Sequence, residues 1–134
     1  MHAERLLKLA QHLETGKLGH DRFDFNYYNA KFNCGTAGCA IGECPTVFPD
    51  DWILSGADLP IYREARYDCG LHGTVCESGM AFFEISRLVY EHLFIPLGQR
   101  AGQFGGETLT RSATKEQVAA NIRAFVAKAV ADAT

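Results

Sequence analysis

The predicted fold depends on residues 33–45, which read Asn33-Cys34-Gly35-Thr36-Ala37-Gly38-Cys39-Ala40-Ile41-Gly42-Glu43-Cys44-Pro45. Small side chains fill most of these positions, Thr36 can cap a helix N-terminus, and Pro45 stops the pattern. A glycine inside a helix costs about 1 kcal/mol relative to alanine, so Gly38 and Gly42 favour a helix packed against another backbone. The stretch therefore predicts a short helix from Thr36 to Cys44 at the centre of the core.

Longer helices are predicted on both sides of this stretch. Residues 2–15 have apolar side chains at helical spacing and end at Gly16. Residues 78–94 contain two helical patterns, with Ser86 as the N-cap of the second and Pro96 closing it. Thr114 and Gln117 form a capping box that opens a terminal helix of about 16 residues. We also expect an aromatic, irregular segment before Phe32, a hairpin or helical turn within residues 55–75, and a long exposed loop over residues 97–113.

Length and composition indicate one domain of mainly α class. The chain has 134 residues and 47% hydrophobic residues, and a domain of this size buries roughly two-thirds of its unfolded surface. No alternation of strands with helices supports a parallel α/β fold. We therefore predict a single domain over residues 1–134, with about five helices and room for one short two-stranded β-hairpin.

Charge and hydropathy narrow the function classes. Thirteen basic and sixteen acidic residues give a net charge of -3, which argues against a general DNA or anionic-membrane binder. No apolar run has the roughly 20 residues of a membrane-spanning helix, and the start has no signal-peptide core. We therefore expect a cytoplasmic protein whose five cysteines are reduced thiols.

The same central stretch carries a family resemblance. Its Cys-Gly-Thr-x-x-Cys-x-x-Gly pattern, starting at Cys34, resembles the signature of a group of small bacterial and phage-encoded proteins without an assigned function. The later pattern is similar too: Phe82-Phe83-Glu84-Ile85-Ser86, Leu93-Phe94-Ile95-Pro96 and a terminal helix opening at Thr114. The resemblance implies a small, helix-rich cytoplasmic protein, and it implies no catalytic residue.

Cys34 is the candidate nucleophile. At the start of a predicted helix, the helix dipole and free N–H groups would lower the pKa of its thiol. A thiol enzyme also requires a histidine base, for which His72 or His92 is the candidate, and a group that orients it. The alternative is that the small thiols fill space in the core.

Cys69, His72 and Cys76 are the candidate metal ligands. Spacings of three and four residues in a glycine-rich segment could bring two thiolates and an imidazole to one zinc ion, the one cofactor for which the sequence offers ligands. The other three cysteines, Cys34, Cys39 and Cys44, do not have the spacing of a zinc knuckle. The alternative for Cys69, His72 and Cys76 is that they are ordinary loop and core side chains that bind no metal.

A nucleic-acid contact has a weaker basis, in Tyr62-Arg63-Glu64-Ala65-Arg66-Tyr67, where aromatic residues flank two arginines. The acidic residues around them favour a solvated turn instead.

The absence of an assembled catalytic set or cofactor motif favours a non-enzymatic protein-interaction or accessory factor, encoded by a bacterium, phage or mobile element. Its partner would be a protein. The expected surfaces are the aromatic segment from Phe23 to Phe32 and the loop after Phe94. The alternative function is a thiol-dependent enzyme or a zinc protein that uses Cys34 or the Cys69, His72 and Cys76 group.

Overall fold

A computed structural model describes residues 1–27, 30–32, 35–55, 59–64, 74–96 and 98–133. Helices make up most of the regular structure in these residues, so the predicted mainly α class is confirmed. The elements in chain order are α1 Ala3–Thr15, β1 Arg22–Phe23, β2 Ala30–Phe32, β3 Gly35–Gly38, a 3-10 turn Ile41–Glu43, α2 Cys44–Val47, β4 Trp52–Leu54, β5 Pro60–Tyr62, α3 Thr74–Phe83, α4 Arg87–Phe94, α5 Ala101–Phe104 and α6 Lys115–Asp132.

The first and last helices pack against each other. Each presents an apolar stripe to the core, as the sequence periodicity predicts. Polar groups also join the helices: Arg123 binds both carboxylate oxygens of Glu14 at 2.6 and 2.8 Å, and Lys115 donates to the Leu13 carbonyl at 2.9 Å. The buried residues of the two stripes are Leu6, Leu9, Ala10 and Leu13 in α1, and Val118, Ala119, Ile122, Phe125 and Val126 in α6.

Three of the predicted helix ends, those of α1, α4 and α6, are confirmed together with their capping residues. Gly16 caps α1 and donates its N–H to the His12 carbonyl. The Ser86 hydroxyl accepts the Val89 N–H at the start of α4. Thr114 and Gln117 form the reciprocal capping box of α6, whose 18 residues slightly exceed the predicted length. These signals work within one helical turn, which is why the sequence alone reveals them.

The central stretch differs from the prediction. Gly35–Gly38 is not helical: it is β3, the middle strand of a three-stranded sheet, parallel to β1 and antiparallel to β2. The helical part begins only at Ile41, and Pro45 occupies the first turn of α2 instead of ending it. The predicted helix from Thr36 to Cys44 is therefore wrong in its first half, because pairing with two other strands determines the conformation there.

A β-hairpin and an aromatic core lie next to the helices. β4 and β5 pair antiparallel, with Trp52 opposite Tyr62, so the short two-stranded hairpin of the predicted fold is present, but its first strand precedes the range 55–75 in which it was expected. Trp52, Tyr62 and Phe82 contact one another edge-on or tilted at centroid distances of 4.9–6.2 Å. These contacts bury Tyr62 in the core, where it offers no surface for stacking on a nucleotide base.

The segment after α4 is largely exposed, as its glycines predicted, but it is not a simple loop. It contains α5, and Leu109 and Ala113 within it are buried. Gln99 donates to the His92 and Ile95 carbonyls at 2.7 Å and accepts the Leu109 N–H. These bonds hold the segment against α4.

Candidate functional site

A buried carboxylate is the most unusual group in the described part of the chain. Glu43 ends the 3-10 turn and has no solvent-exposed surface. A charged group is costly to bury unless other groups bind it. The groups around Glu43 therefore determine whether its carboxyl group is ionised.

Three donors surround the Glu43 carboxylate. Oε1 accepts a hydrogen bond from His12 Nε2 at 2.8 Å and from the Gly19 N–H at 2.7 Å. Oε2 accepts from His20 Nδ1 at 2.5 Å. His12 lies in α1, and Gly19 and His20 lie between α1 and β1. We call Glu43, His12 and His20 the carboxylate cluster.

Two opposing effects act on the Glu43 carboxyl group. Burial raises its pKa, and the hydrogen bonds from His20, His12 and the Gly19 N–H lower it. The net effect places the pKa of Glu43 below its ordinary value, so the buried group is ionised at neutral pH. The cluster thus joins α1, the segment after it and the 3-10 turn around one negative charge.

Gly38 explains how His20 reaches this position. A Cβ atom at residue 38 would lie 2.5–2.7 Å from three atoms of the His20 ring. The imidazole therefore lies directly on the backbone of β3. The close helix packing predicted for this glycine is therefore wrong, because an imidazole ring on a strand is what excludes a side chain there.

The described thiols are poorly suited to nucleophilic chemistry. Burial raises the pKa of Cys39 to about 11, and burial together with the neighbouring Cys39 and Glu43 raises the pKa of Cys44. Burial also raises the pKa of half-buried Cys76. All three are free thiols, and a protonated thiol is a weak nucleophile. They contribute to packing as small apolar side chains.

Three of the predicted site residues lie outside the described residues: the nucleophile Cys34, its candidate base and zinc ligand His72, and the zinc ligand Cys69. Gly35–Gly38 form β3 and not a helix, so the helix on which the predicted activation of Cys34 depended is absent from these four residues.

His92, the other candidate base, is part of the internal framework. Its side chain is fully buried, Nδ1 accepts the Arg100 N–H at 2.9 Å, and Nε2 donates to the Gly105 carbonyl at 3.1 Å. Burial lowers the pKa of His92 more than the bond to Gly105 raises it. This neutral imidazole therefore fixes the segment after α4 and does not face a substrate.

The predicted zinc ligands are only partly described. Cys76 lies in α3, and its thiol donates to the Met80 sulfur at 3.6 Å. In the described part of the chain, no group of three His, Cys, Asp or Glu side chains has the arrangement of a metal site.

A groove lies between the β1–β2 connection and the end of α4. Its inner end is a hollow of about 110 Å³ with the buried Phe25, Cys39 and Phe94 at its base. It opens into a wider groove of about 410 Å³ beside Arg111. Among the described residues, four line both parts: Asn26, Tyr27, Ile95 and Pro96. We call this surface the Tyr27 groove.

Main-chain and side-chain bonds fix the walls of this groove. The Cys39 N–H donates to the Tyr27 carbonyl at 2.6 Å. Asn26 Nδ2 donates to the Arg111 carbonyl at 3.0 Å, which ties the two sides together. Tyr27 is 44% exposed, whereas Phe25 is buried. Among the described aromatic side chains of the predicted surface from Phe23 to Phe32, Tyr27 is therefore the one that is exposed.

The sequence alone predicted neither the carboxylate cluster nor the place of Arg111 beside the groove. One signal was present: Glu43 is the sole charged residue in the run of small and apolar residues from Cys34 to Cys44. Its partners His12 and His20 are 31 and 23 residues away in the chain, and no local pattern connects them.

Among the described helices, none combines the length and apolar character needed to cross a membrane. Comparisons of the chain with protein-family models, with curated proteins and with solved structures found no match.

Proposed function

We propose that the protein is a non-enzymatic binding module that recognises a partner protein through the Tyr27 groove. The observation that supports this is the groove itself, where an exposed tyrosine and an arginine stand beside an apolar hollow. Tyrosine and arginine are enriched at protein interfaces, because each combines a large contact area with polar groups.

The rigidity of the walls also supports binding. The groove residues are joined by hydrogen bonds between segments far apart in the chain, including the Asn26–Arg111 bond. A surface that is already ordered loses little conformational entropy when a partner binds. The raised pKa of the described thiols points in the same direction, since it disfavours covalent catalysis by those residues.

Site-specific photo-crosslinking in the host cell tests this proposal. A benzophenone amino acid replaces Tyr27 in the full chain, and a matched variant carries it at Val130, which is 52% exposed on α6. We expect one dominant protein adduct from position 27 that is absent from position 130. The captured protein, once purified, should bind the wild type and lose at least about tenfold in affinity with Tyr27→Ala.

Identical adducts from both positions, or no adduct from position 27, would overturn the proposal. So would equal affinity of the purified partner for the wild type and Tyr27→Ala.

A further inference from the structure

The Tyr27 groove combines an apolar hollow with a cationic residue, and this combination restricts the class of ligand that can fill it. The inner hollow has buried apolar side chains at its base, whereas the exposed Arg111 is among the residues that line the outer groove. The two features lie on one continuous surface because they share four lining residues. A ligand that fills the groove therefore meets an apolar contact and a cation together.

The size of the hollow selects among apolar side chains. At about 110 Å³ it is smaller than the cavity of about 150 Å³ that accepts benzene in another protein. An aliphatic side chain fits this space better than an aromatic ring.

The Arg111 guanidinium is available for an anionic group. Its backbone carbonyl accepts from Asn26, but within the described part of the chain no carboxylate pairs with its side chain. Asp24, two residues before Asn26 in the chain, accepts hydrogen bonds from the Asn26 backbone and side chain. Arginine pairs well with carboxylates because its planar group can donate two parallel hydrogen bonds.

We infer that the Tyr27 groove binds a segment of a partner protein in which an aliphatic residue is followed or preceded closely by an aspartate or glutamate. The aliphatic side chain occupies the hollow above Cys39, and the carboxylate pairs with Arg111. This inference rests on the proposed function and assigns the ligand class of the same surface. Because the chain has a net charge of -3, attraction of an acidic segment is local to Arg111 and is screened by salt.

Selection of random peptides displayed on phage, on the immobilised full chain, tests the inference. We expect wild-type protein to enrich peptides with Asp or Glu within a few residues of Leu, Ile, Val or Met. A synthetic peptide from that pool should bind at least about fivefold more weakly to Arg111→Glu, and more weakly as salt rises. The matched control is Arg63→Glu, which makes the same charge change at an exposed position outside the groove, and it should bind within about twofold of the wild type.

The outcomes separate the inference from the proposed function. Enriched peptides that lack acidic residues, yet lose binding with Tyr27→Ala, would overturn the inference and leave the groove as a binding surface. Failure to enrich any peptide, or equal binding to the wild type and Tyr27→Ala, would contradict both. Circular dichroism of each variant shows whether a loss of binding reflects unfolding.

Discussion

At the scale of single residues, Glu43 shows how a buried charge is tolerated. It has three donors, two of them imidazoles, and its carboxylate stays ionised because these bonds outweigh the effect of burial. Removing the charge leaves the donors of His12, Gly19 and His20 with a poorer acceptor. The cost of unsatisfied buried polar groups is usually larger than the net gain from forming one hydrogen bond.

Glu43→Gln is therefore expected to lower the free energy of unfolding by about 1–3 kcal/mol. Chemical denaturation followed by circular dichroism measures this change. Glu107→Gln, at an exposed glutamate whose described bonds use its backbone, serves as the control and should change stability by less than about 0.5 kcal/mol. Equal stability of the two variants would contradict the role assigned to the carboxylate cluster.

The effect of Glu43 should also depend on pH. Its pKa is lowered in the folded protein, so the ionised group stabilises the fold at pH values above the unfolded pKa, near 4.5. This contribution disappears as the pH falls through the lower, folded pKa. We expect the stability difference between the wild type and Glu43→Gln to shrink between about pH 6 and about pH 3. Denaturation series at both ends of that range check the sign, and a difference that grows on acidification would contradict it.

The thiols give a second residue-scale prediction. With a pKa of about 11, Cys39 is a thiolate in roughly one molecule in a thousand at about pH 8, and its side chain is also buried. Alkylation of the native protein, read by peptide mass spectrometry, should modify half-buried Cys76 before Cys39 and Cys44. All three should react after denaturation. Rapid modification of native Cys39 would contradict the burial and the raised pKa of its thiol.

At the scale of elements, the segment between α4 and α6 depends on side-chain amides. Asn121 of α6 accepts the Glu107 N–H and donates to the Glu107 carbonyl, both at 2.8 Å. Gly106 has a φ of 79°, and a Cβ there would lie 2.3 Å from Asn121 Oδ1. A residue without a side chain lets the backbone approach the amide closely enough for both bonds. Together with the bonds of the buried His92 to Arg100 and Gly105, these bonds hold residues 100–107 against α4 and α6.

Asn121→Ala is expected to loosen this segment. It removes both bonds to Glu107, so amide hydrogen exchange over residues 105–109 should become faster, and the free energy of unfolding should fall by about 1–3 kcal/mol. Gln103→Ala removes an exposed amide of α5 and should leave exchange in residues 105–109 unchanged. If both variants exchange like the wild type, Asn121 does not hold the segment.

At the scale of the whole molecule, stability depends on the packing of α1 and α6 and on the aromatic core beside them. The core-facing side of α1 is fully buried at Leu6, Leu9 and Leu13. Close packing makes each buried leucine costly to truncate, because the surrounding structure relaxes only partly around the cavity.

Leu9→Ala should therefore lower the free energy of unfolding by about 2–5 kcal/mol. Leu88→Ala makes the same chemical change at a position that is 42% exposed. Its free energy of unfolding should differ from that of the wild type by less than about 0.5 kcal/mol. Thermal and urea denaturation compare the two variants. Similar losses from both substitutions would contradict the burial of the α1 face.

The sequence by itself determined the features that act within one or two helical turns: the apolar stripes of α1 and α6, the caps at Gly16, Ser86 and Thr114, and the mainly α class. Tertiary structure decided the rest. The small residues from Gly35 to Gly38 fit a helix or a strand, and pairing with β1 and β2 makes them a strand. Glu43 forms hydrogen bonds with His12 and His20, which are 31 and 23 residues away in the chain, and Asn26 forms one with Arg111, which is 85 residues away. Such contacts form only when distant segments pack together, so the carboxylate cluster and the Tyr27 groove leave no periodic signal in the chain.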